Sequence, residues 1–502
     1  MLLVFMEYHG DVGIAPWEFL LGFVYVMVMY LYFARKKNRN IKLNPEYKYY
    51  MSGLMAKLGG GVLFCLIYMY YYSGGDTTAY FYSGVAMKSM LSVDPVEFFR
   101  QVFLGDNSLR ALHQYAGMEM RPYEYVFTDA RTFHALRVSS VLALLTFNSY
   151  LISTLIIASV SFLWIWAGYR TFSSYFPAIS GKLAIGFLFM PSAIFWGSGI
   201  MKDTFTFAAC FAWVHAVDEI FFKRRNTASR IMLMILSAFI MIKVKPYIFM
   251  VIMPATLLWL LYMRVVSIRN TLVRFVLVPI ASVGLVGVSI FILSRMGDLL
   301  GKFALDDALG NIGNLQNDMA TNADYGNYKF DIGTLDGTWW GVVKKFPVAT
   351  NAALFRPYPW EVRNAVTALS GLENLFVLGL TVFTLSRAGV RFSLRCIAAN
   401  PLLLMSVVFS LLFAFVVGIT TPNFGALVRF KIPLMPFYIS SLYIILYFHH
   451  LRRRAAIQGK RLDLSHYRMG VTQAASDELE QIKARPRSRA GRVPGAVGNP
   501  VA

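Results

Sequence analysis

Long apolar runs alternate with short charged segments along the whole of this 502-residue chain. Runs of about 17–25 apolar residues are the length that crosses a hydrocarbon core roughly 30 Å thick. The pattern predicts an all-α integral membrane protein with about 11 transmembrane helices. We place these spans at about 17–34, 58–73, 148–168, 182–200, 204–222, 231–243, 246–263, 273–294, 367–386, 400–420 and 432–450.

The basic residues between the spans predict how the chain is oriented. Cytoplasmic loops carry an excess of Lys and Arg, and with about 11 spans five basic clusters fall on one side. The clusters are Arg35–Arg39, Lys223–Arg230, Arg264–Arg274, Arg387–Arg395 and Arg452–Arg454. We therefore expect the N-terminus outside and the C-terminus in the cytoplasm.

Two long loops, at about 74–147 and 295–366, are then extracytoplasmic. The first mixes aromatic and aliphatic residues with charged ones, which is typical of short amphipathic helices lying in the membrane interface. We read 1–450 as one polytopic transmembrane domain. The segment 451–502, with 11 Lys/Arg and 4 Asp/Glu, is predicted to be a basic disordered cytoplasmic tail that can touch anionic membrane lipids.

Composition narrows the functional classes. With 57% hydrophobic residues and a mean hydropathy of +0.53, the chain is too apolar for a soluble enzyme of this size. Much of the net charge of +21 lies between the spans. It therefore indicates how the chain is oriented in the membrane and does not indicate nucleic-acid binding. The three cysteines fall in or beside apolar stretches and suggest neither a disulfide framework nor a metal site.

The segment Gly74-Gly75-Asp76-Thr77-Thr78 carries the first candidate for chemistry. It follows an apolar run directly, so Asp76 lies where a predicted helix leaves the membrane. A carboxylate there can act as a general base toward a hydroxyl. The alternative is a solvated acid that follows a helix-ending glycine.

Cations in short extracytoplasmic loops are exceptions to the positive-inside rule, so we expect each of them to have an anionic partner. Lys and Arg at such positions can hold a phosphate by charge and hydrogen bonds. Snorkelling to lipid headgroups and, for Asp203, capping of a helix remain open alternatives. The candidate phosphate-binding or substrate-binding residues are Lys202, Asp203, Lys243, Lys245, Arg429 and Lys431, with Arg356 and Tyr358 as weaker members.

An outward acid with several cations resembles the GT-C class, the multi-pass glycosyltransferases that use polyprenyl-phosphate-linked sugars. In that class an acid in the first large extracytoplasmic loop acts in catalysis, which matches the place of Asp76. The stretches Ser198–Asp203 and Arg429–Pro436 are similar to recurring segments of such proteins, and Phe355–Glu361 resembles bacterial surface-polysaccharide assembly proteins. One additional helix precedes the span before Asp76, and Asp76 lacks a neighbouring second acid.

The resemblance implies sugar transfer from a polyprenyl-phosphate donor to a glycan or lipid-glycan acceptor, on the outer face of a bacterial inner membrane. Asp76 would be the catalytic base. An O-antigen-type polymerase or ligase, or a transporter (flippase) of lipid-linked saccharide, stays an alternative. The metal requirement is open: no cofactor is certain, and Asp76 could contribute to holding a divalent cation.

Overall fold

A computed structural model describes residues 12–225, 227–266, 330–333, 338–362 and 365–459, with a few single positions besides. Every regular element longer than a single bridge in these ranges is a helix. Within these described ranges, seven helices are long and apolar enough to cross a membrane. They are Pro16–Asn40, Pro45–Tyr71, Tyr150–Tyr175, Lys202–Phe222, Thr367–Ala388, Pro401–Thr420 and Leu434–Ile457.

The remaining helices are not among these seven candidate membrane spans. Those of the first long loop are Asp76–Val93, Pro95–Phe99, Arg100–Leu104, Leu109–His113, Glu124–Thr128 and Ala130–Leu145. Those of the middle of the chain are Pro177–Ile179, Ser180–Ala184, Ile185–Phe189, Pro191–Trp196, Ala228–Val244 and Pro246–Val266. The later ones are Trp339–Lys344, Phe346–Phe355, Pro359–Glu361, Val390–Ala399 and Phe424–Phe430.

The multi-pass helical architecture agrees with the sequence, whereas the count of about 11 spans is not reached among the described residues. The predicted span 182–200 is two pieces that break at Met190. The span at 231–243 is a helix of 17 residues, Ala228–Val244, which is too short to join the seven. The span at 273–294 and most of the loop 295–366 lie outside the described residues. The last helix continues to Ile457, beyond the predicted start of the tail.

Contacts between helix ends bring the described basic segments around Lys223, Phe392 and Arg452 to one end of the bundle, where the rings of Phe176 and Phe448 lie 5.9 Å apart. Arg170 pairs with Glu46 at 3.4 Å, and Lys223 donates to Ser174 at 3.3 Å. Farther along the chain, the Arg452 guanidinium lies 4.1 Å from the centre of the Phe392 ring. The positive-inside rule makes this end cytoplasmic, which remains a prediction because the structure contains no membrane.

The first long loop folds as a helical unit. Asp76–Val93 packs along Ala130–Leu145, and both helices bury one face in this contact. Their backbones approach closely at Gly84, where a Cβ atom would lie 2.8 Å from the backbone nitrogen of Ser140. The unit therefore holds the start of Asp76–Val93, and with it Asp76, in a fixed place.

The break at Met190 produces the short helix Pro191–Trp196, whose end carbonyls would lack partners in an apolar environment. Side chains of neighbouring helices supply the missing donors. Lys57 Nζ donates to Ala193 O at 2.8 Å, Ser161 to Gly197 O at 3.1 Å, and Thr204 to Trp196 O at 3.2 Å. These hydrogen bonds give partners to the carbonyl groups at the end of the short helix. They also orient the following residues, Met201 to Asp203.

Gly60 provides a test of this packing, with its neighbour Gly59 as a matched control. A Cβ at Gly60 would lie 2.6 Å from the carbonyl oxygen of Ile194 in the short helix, whereas none of the surrounding atoms comes within 4 Å at Gly59. We expect Gly60→Ala to destabilise the fold by about 1–3 kcal/mol, the usual range for overpacking. Thermal unfolding in detergent measures this. Equal stability of Gly60→Ala and Gly59→Ala would contradict the described contact.

Candidate functional site

The site begins at the sharp turn between Pro45–Tyr71 and Asp76–Val93. Gly74 and Gly75 have φ angles of 112° and 146°, in a region that side chains with a Cβ rarely adopt. The turn is closed by the Gly74 N–H, which donates to Tyr68 O at 2.7 Å. It is also closed by Thr78, whose hydroxyl donates to Gly75 O at 2.8 Å. The turn thereby places Asp76 in the first turn of its helix, with its side chain 39% exposed.

Arg429 links Asp76 to a second carboxylate. Its Nη1 donates to Asp76 Oδ2 at 3.2 Å, and its Nε lies 3.2 Å from Asp203 Oδ2 as an ion pair without hydrogen-bond geometry. Burial alone would lower the pKa of Arg429, but the charges of Asp203 and Asp76 outweigh it and raise the pKa. The guanidinium is therefore held firmly between the two acids.

Asp203 is the buried acid of the pair, with a side chain only 3% exposed. Its other oxygen, Oδ1, accepts from Lys245 Nζ at 2.5 Å. Burial lowers the pKa of Lys245 to about 8, although Asp203 acts in the opposite direction. Asp203 thus positions two cations, Arg429 and Lys245, and it does not point toward solvent as Asp76 does.

Lys202 completes the group from the side of the first loop. Its Nζ donates to the Thr132 hydroxyl at 2.9 Å, and Thr132 in turn donates to Asp129 at 2.5 Å. It also interacts electrostatically with Asp76. We call Asp76, Lys202, Asp203, Lys245 and Arg429 the acid–cation cluster.

Three further candidates gather in a separate group. Arg356 forms an ion pair with Glu361, whose Oε1 accepts from Arg356 Nε at 3.0 Å. Lys431 Nζ donates to Arg356 O at 3.1 Å and to Asn374 Oδ1 at 2.6 Å, and burial lowers its pKa to about 7. Tyr358 stacks on a neighbouring tryptophan and accepts a hydrogen bond through its hydroxyl. These side chains are occupied by internal partners.

Lys243 is separated from its neighbour Lys245. Among the described residues it forms no ion pair with Asp76 or Asp203. Its charge, after burial and Arg137, helps to lower the pKa of His134 to about 4. Lys243 therefore faces the helix Ala130–Leu145, whereas Lys245 faces the acids, because the backbone changes direction between the helix Ala228–Val244 and Pro246.

Several polar residues of the site were not singled out from the sequence. Asp129 and Thr132 hold Lys202, and Asn374 holds Lys431. Lys57, which donates to the broken helix, lies just before the predicted span 58–73 but inside the longer helix Pro45–Tyr71, where a lysine within a candidate membrane span is a signal for a specific role. The aromatic rings of Tyr80 and Phe430 lie 5.8 Å and 3.9 Å from Lys202 and Lys245, respectively.

The cluster combines the accessible carboxylate of Asp76 with two cations fixed by buried Asp203 and a third, Lys202, held by Thr132. Such an arrangement can hold an anion against Arg429 and Lys202 while Asp76 remains within reach of a hydroxyl. It does not suit a divalent cation as placed, because both carboxylates already face positive side chains. In the described part of the chain no group of three or more His, Cys, Asp or Glu side chains converges.

The two acids of the cluster should differ in their effect on stability. Asp203→Asn leaves Lys245 and Arg429 buried without their shared counter-charge, which should cost about 3–5 kcal/mol. Asp76→Asn removes a partly exposed partner, and its cost should stay near the ~1 kcal/mol of an exposed ion pair. Thermal unfolding of the purified variants in one detergent compares them.

Adding Lys245→Met to Asp203→Asn should recover part of the lost stability, because one of the two buried positive charges is then removed. Equal melting temperatures for Asp76→Asn and Asp203→Asn would contradict the assigned burial of Asp203.

The chain matches no family model, and comparisons with curated proteins and with solved structures find no similar protein.

Proposed function

We propose that the protein transfers a sugar from a polyprenyl-phosphate-linked donor to an acceptor hydroxyl at the membrane surface. The observation that carries this proposal is the acid–cation cluster, in which Asp76 is accessible and its partner Arg429 is also held by buried Asp203. The positive-inside rule puts the cluster on the extracytoplasmic face, opposite the basic helix ends. This matches the resemblance to GT-C enzymes.

The donor phosphate would bind to Arg429 and Lys202, the two cations that interact with Asp76. Arg429 Nη1 contacts Asp76 at 3.2 Å without a donor present, and an incoming phosphate would compete with Asp76 for this nitrogen. Because Arg429 also pairs with Asp203, it stays in place when its contact with Asp76 is exchanged for the phosphate. Donor binding would therefore release the Asp76 carboxylate for catalysis.

The reaction then follows from the positions of these groups. The Asp76 carboxylate takes the proton of the acceptor hydroxyl as the acceptor oxygen attacks the anomeric carbon of the sugar. The bond between that carbon and the phosphate oxygen breaks, and its electron pair leaves with the polyprenyl phosphate. Arg429 and Lys202 stabilise the negative charge that grows on the leaving phosphate. Attack from the face opposite the phosphate would invert the anomeric configuration.

The surroundings of Asp76 suit a lipid-linked donor. Tyr70 and Tyr71, just before the turn, are 69% and 56% exposed. Exposed aromatic side chains next to a charged cluster are typical of membrane interfaces, where a polyprenyl chain can remain in the bilayer.

Two alternatives remain proposals as well. A polymerase or ligase would depend mainly on arginines at the extracytoplasmic face. The charge of Arg356 is already neutralised by Glu361, and this favours the reaction centred on Asp76. A transporter of lipid-linked saccharide would use broken helices, and the break at Met190 with the short helix Pro191–Trp196 is a feature of that kind. The five residues of the acid–cation cluster lie together at one end of the bundle, whereas a transporter places its charges near the middle of the membrane, and this favours catalysis over transport.

Replacing Asp76 by Asn tests the assigned base. We expect transfer from a labelled polyprenyl-phosphate sugar to fall by about 10²–10⁴-fold, because the amide cannot accept the proton. Glu119→Gln is the matched control, since Glu119 is an exposed acid of the same loop outside the cluster. Normal transfer by a folded Asp76→Asn variant would refute the assignment.

Lys202→Gln and Arg356→Gln distinguish the transferase from the polymerase or ligase. Loss of a cation beside the leaving phosphate should reduce kcat for donor cleavage by about 10²-fold in Lys202→Gln. Arg356→Gln should stay close to the wild type. A larger loss in Arg356→Gln than in Lys202→Gln would favour the polymerase or ligase.

A further inference from the structure

A second charged site lies at the opposite end of the bundle from the acid–cation cluster. An open cavity of about 820 Å³ is formed there by the start of Pro45–Tyr71, the end of Tyr150–Tyr175 and the end of Lys202–Phe222. The helix Lys202–Phe222 contributes Asp203 to the cluster at its first turn and Glu219 to this cavity at its last. The helix thus separates the two sites by most of its length.

The cavity is lined mainly by cations. Two carboxylates, Glu46 and Glu219, are present in the wall. Among the described lining residues, six carry positive charge: Lys42, Lys48, Arg170, Lys182, Lys223 and Arg225. A cleft with an excess of one charge and walls of low dielectric constant concentrates the electrostatic potential and attracts counter-ions. The volume is within the range typical of small-molecule sites.

Local acids balance only part of this charge. Arg170 pairs with Glu46, and Arg225 pairs with Glu219 at 3.4 Å. Lys223 pairs with Asp218 behind the wall at 2.6 Å and with Glu219 at 3.3 Å. The other three cations that line the cavity form no ion pair with any described residue. They are Lys42, Lys48 and Lys182, and all three are exposed. These three lysines have their charge available to a ligand.

The three available lysines come from two sides of the cavity. Lys42 precedes and Lys48 lies within the short helical turn Pro45–Tyr49 that begins Pro45–Tyr71, and Lys182 belongs to the helix Ser180–Ala184. Lysines on separate elements that border one cavity suit a compact group with at least two negative charges. A phosphate ester or a diphosphate has this charge and several acceptor oxygens.

We propose that this cavity binds a phosphate-bearing anion. The ligand chemistry is shared by the headgroup of an anionic phospholipid and by a free phosphate compound. Basic pockets between membrane helices bind lipid headgroups on the cytoplasmic side, which is where the positive-inside rule places this end of the bundle. The site is distinct from the acid–cation cluster and does not depend on the transferase reaction.

The test measures ligand binding by the full-length protein in neutral detergent. Melting temperature is followed against inorganic pyrophosphate, with sulfate at equal ionic strength as reference. It is also followed against phosphatidylglycerol, with phosphatidylcholine as reference. A ligand that binds the folded state raises the melting temperature according to its affinity. Stabilisation by pyrophosphate identifies a free phosphate ligand, and stabilisation by phosphatidylglycerol alone identifies a lipid headgroup.

A triple variant, Lys42→Gln with Lys48→Gln and Lys182→Gln, removes the three available charges. We expect it to bind the effective ligand about a hundredfold more weakly, from roughly 1 kcal/mol for each cation. The control triple variant is Arg387→Gln with Arg391→Gln and Arg395→Gln, which removes the same charge outside the cavity. It should bind like the wild type.

Two results would overturn the proposal. One is the absence of specific stabilisation by either ligand in the wild type. The other is an equal loss of binding in the two triple variants, because this would mean that the ligand responds to overall charge and not to the cavity. Lys42, Lys48 and Lys182 are exposed, so we expect the variant to fold, and its melting temperature without ligand checks this directly.

Discussion

Arg429 is bound by two carboxylates that come from distant parts of the chain, and the geometry of the proposed site depends on this interaction. Asp76 lies 353 residues away in sequence and stands at the start of the first-loop unit. Asp203 begins a membrane-spanning helix just after the broken segment. A buried guanidinium needs such partners, because its charge is costly to remove from water. The requirement brings together the first loop, the broken helix and the segment before the last span.

Asp76 and Asp203 have different roles in the proposed site because their environments differ. Asp203 is enclosed and compensates Lys245 as well as Arg429, so it fixes the cations in position. Asp76 contacts only Arg429 among the cations of the cluster at ion-pair distance, and it remains open to solvent. A site of this design keeps its positive charge in place while its accessible carboxylate exchanges partners. This is what a reaction that separates a sugar from a phosphate requires.

Much of this arrangement could be predicted from the sequence, because cations in turns that are predicted to face outward are exceptions to the positive-inside rule. Lys202, Lys245 and Arg429 are such exceptions, and the structure brings them together with Asp76. Hydrophobic runs likewise predicted seven of the helices, with boundaries displaced by several residues. Both signals are local properties of the chain, and each reflects the cost of placing a charge or an apolar surface in the wrong environment.

What the sequence could not supply are the directions in which side chains point and the partners they find. Lys243 and Lys245 looked equivalent, yet the turn of the backbone between them sends only Lys245 to the acids. Arg356 looked available for phosphate, but Glu361 folds back onto it. The break at Met190 is stable only because Lys57 and other side chains from distant helices satisfy its carbonyls. Such pairings arise from tertiary packing and leave no local pattern.

The central claim is that the acid–cation cluster breaks the bond between a sugar and a lipid phosphate. The most direct measurement follows a doubly labelled polyprenyl-phosphate sugar with the purified wild-type protein in nanodiscs, with and without acceptor glycan. The account predicts one polyprenyl phosphate released for each sugar joined to acceptor, with an inverted anomeric configuration. Movement of the intact donor across the bilayer, with no release of polyprenyl phosphate, would contradict it.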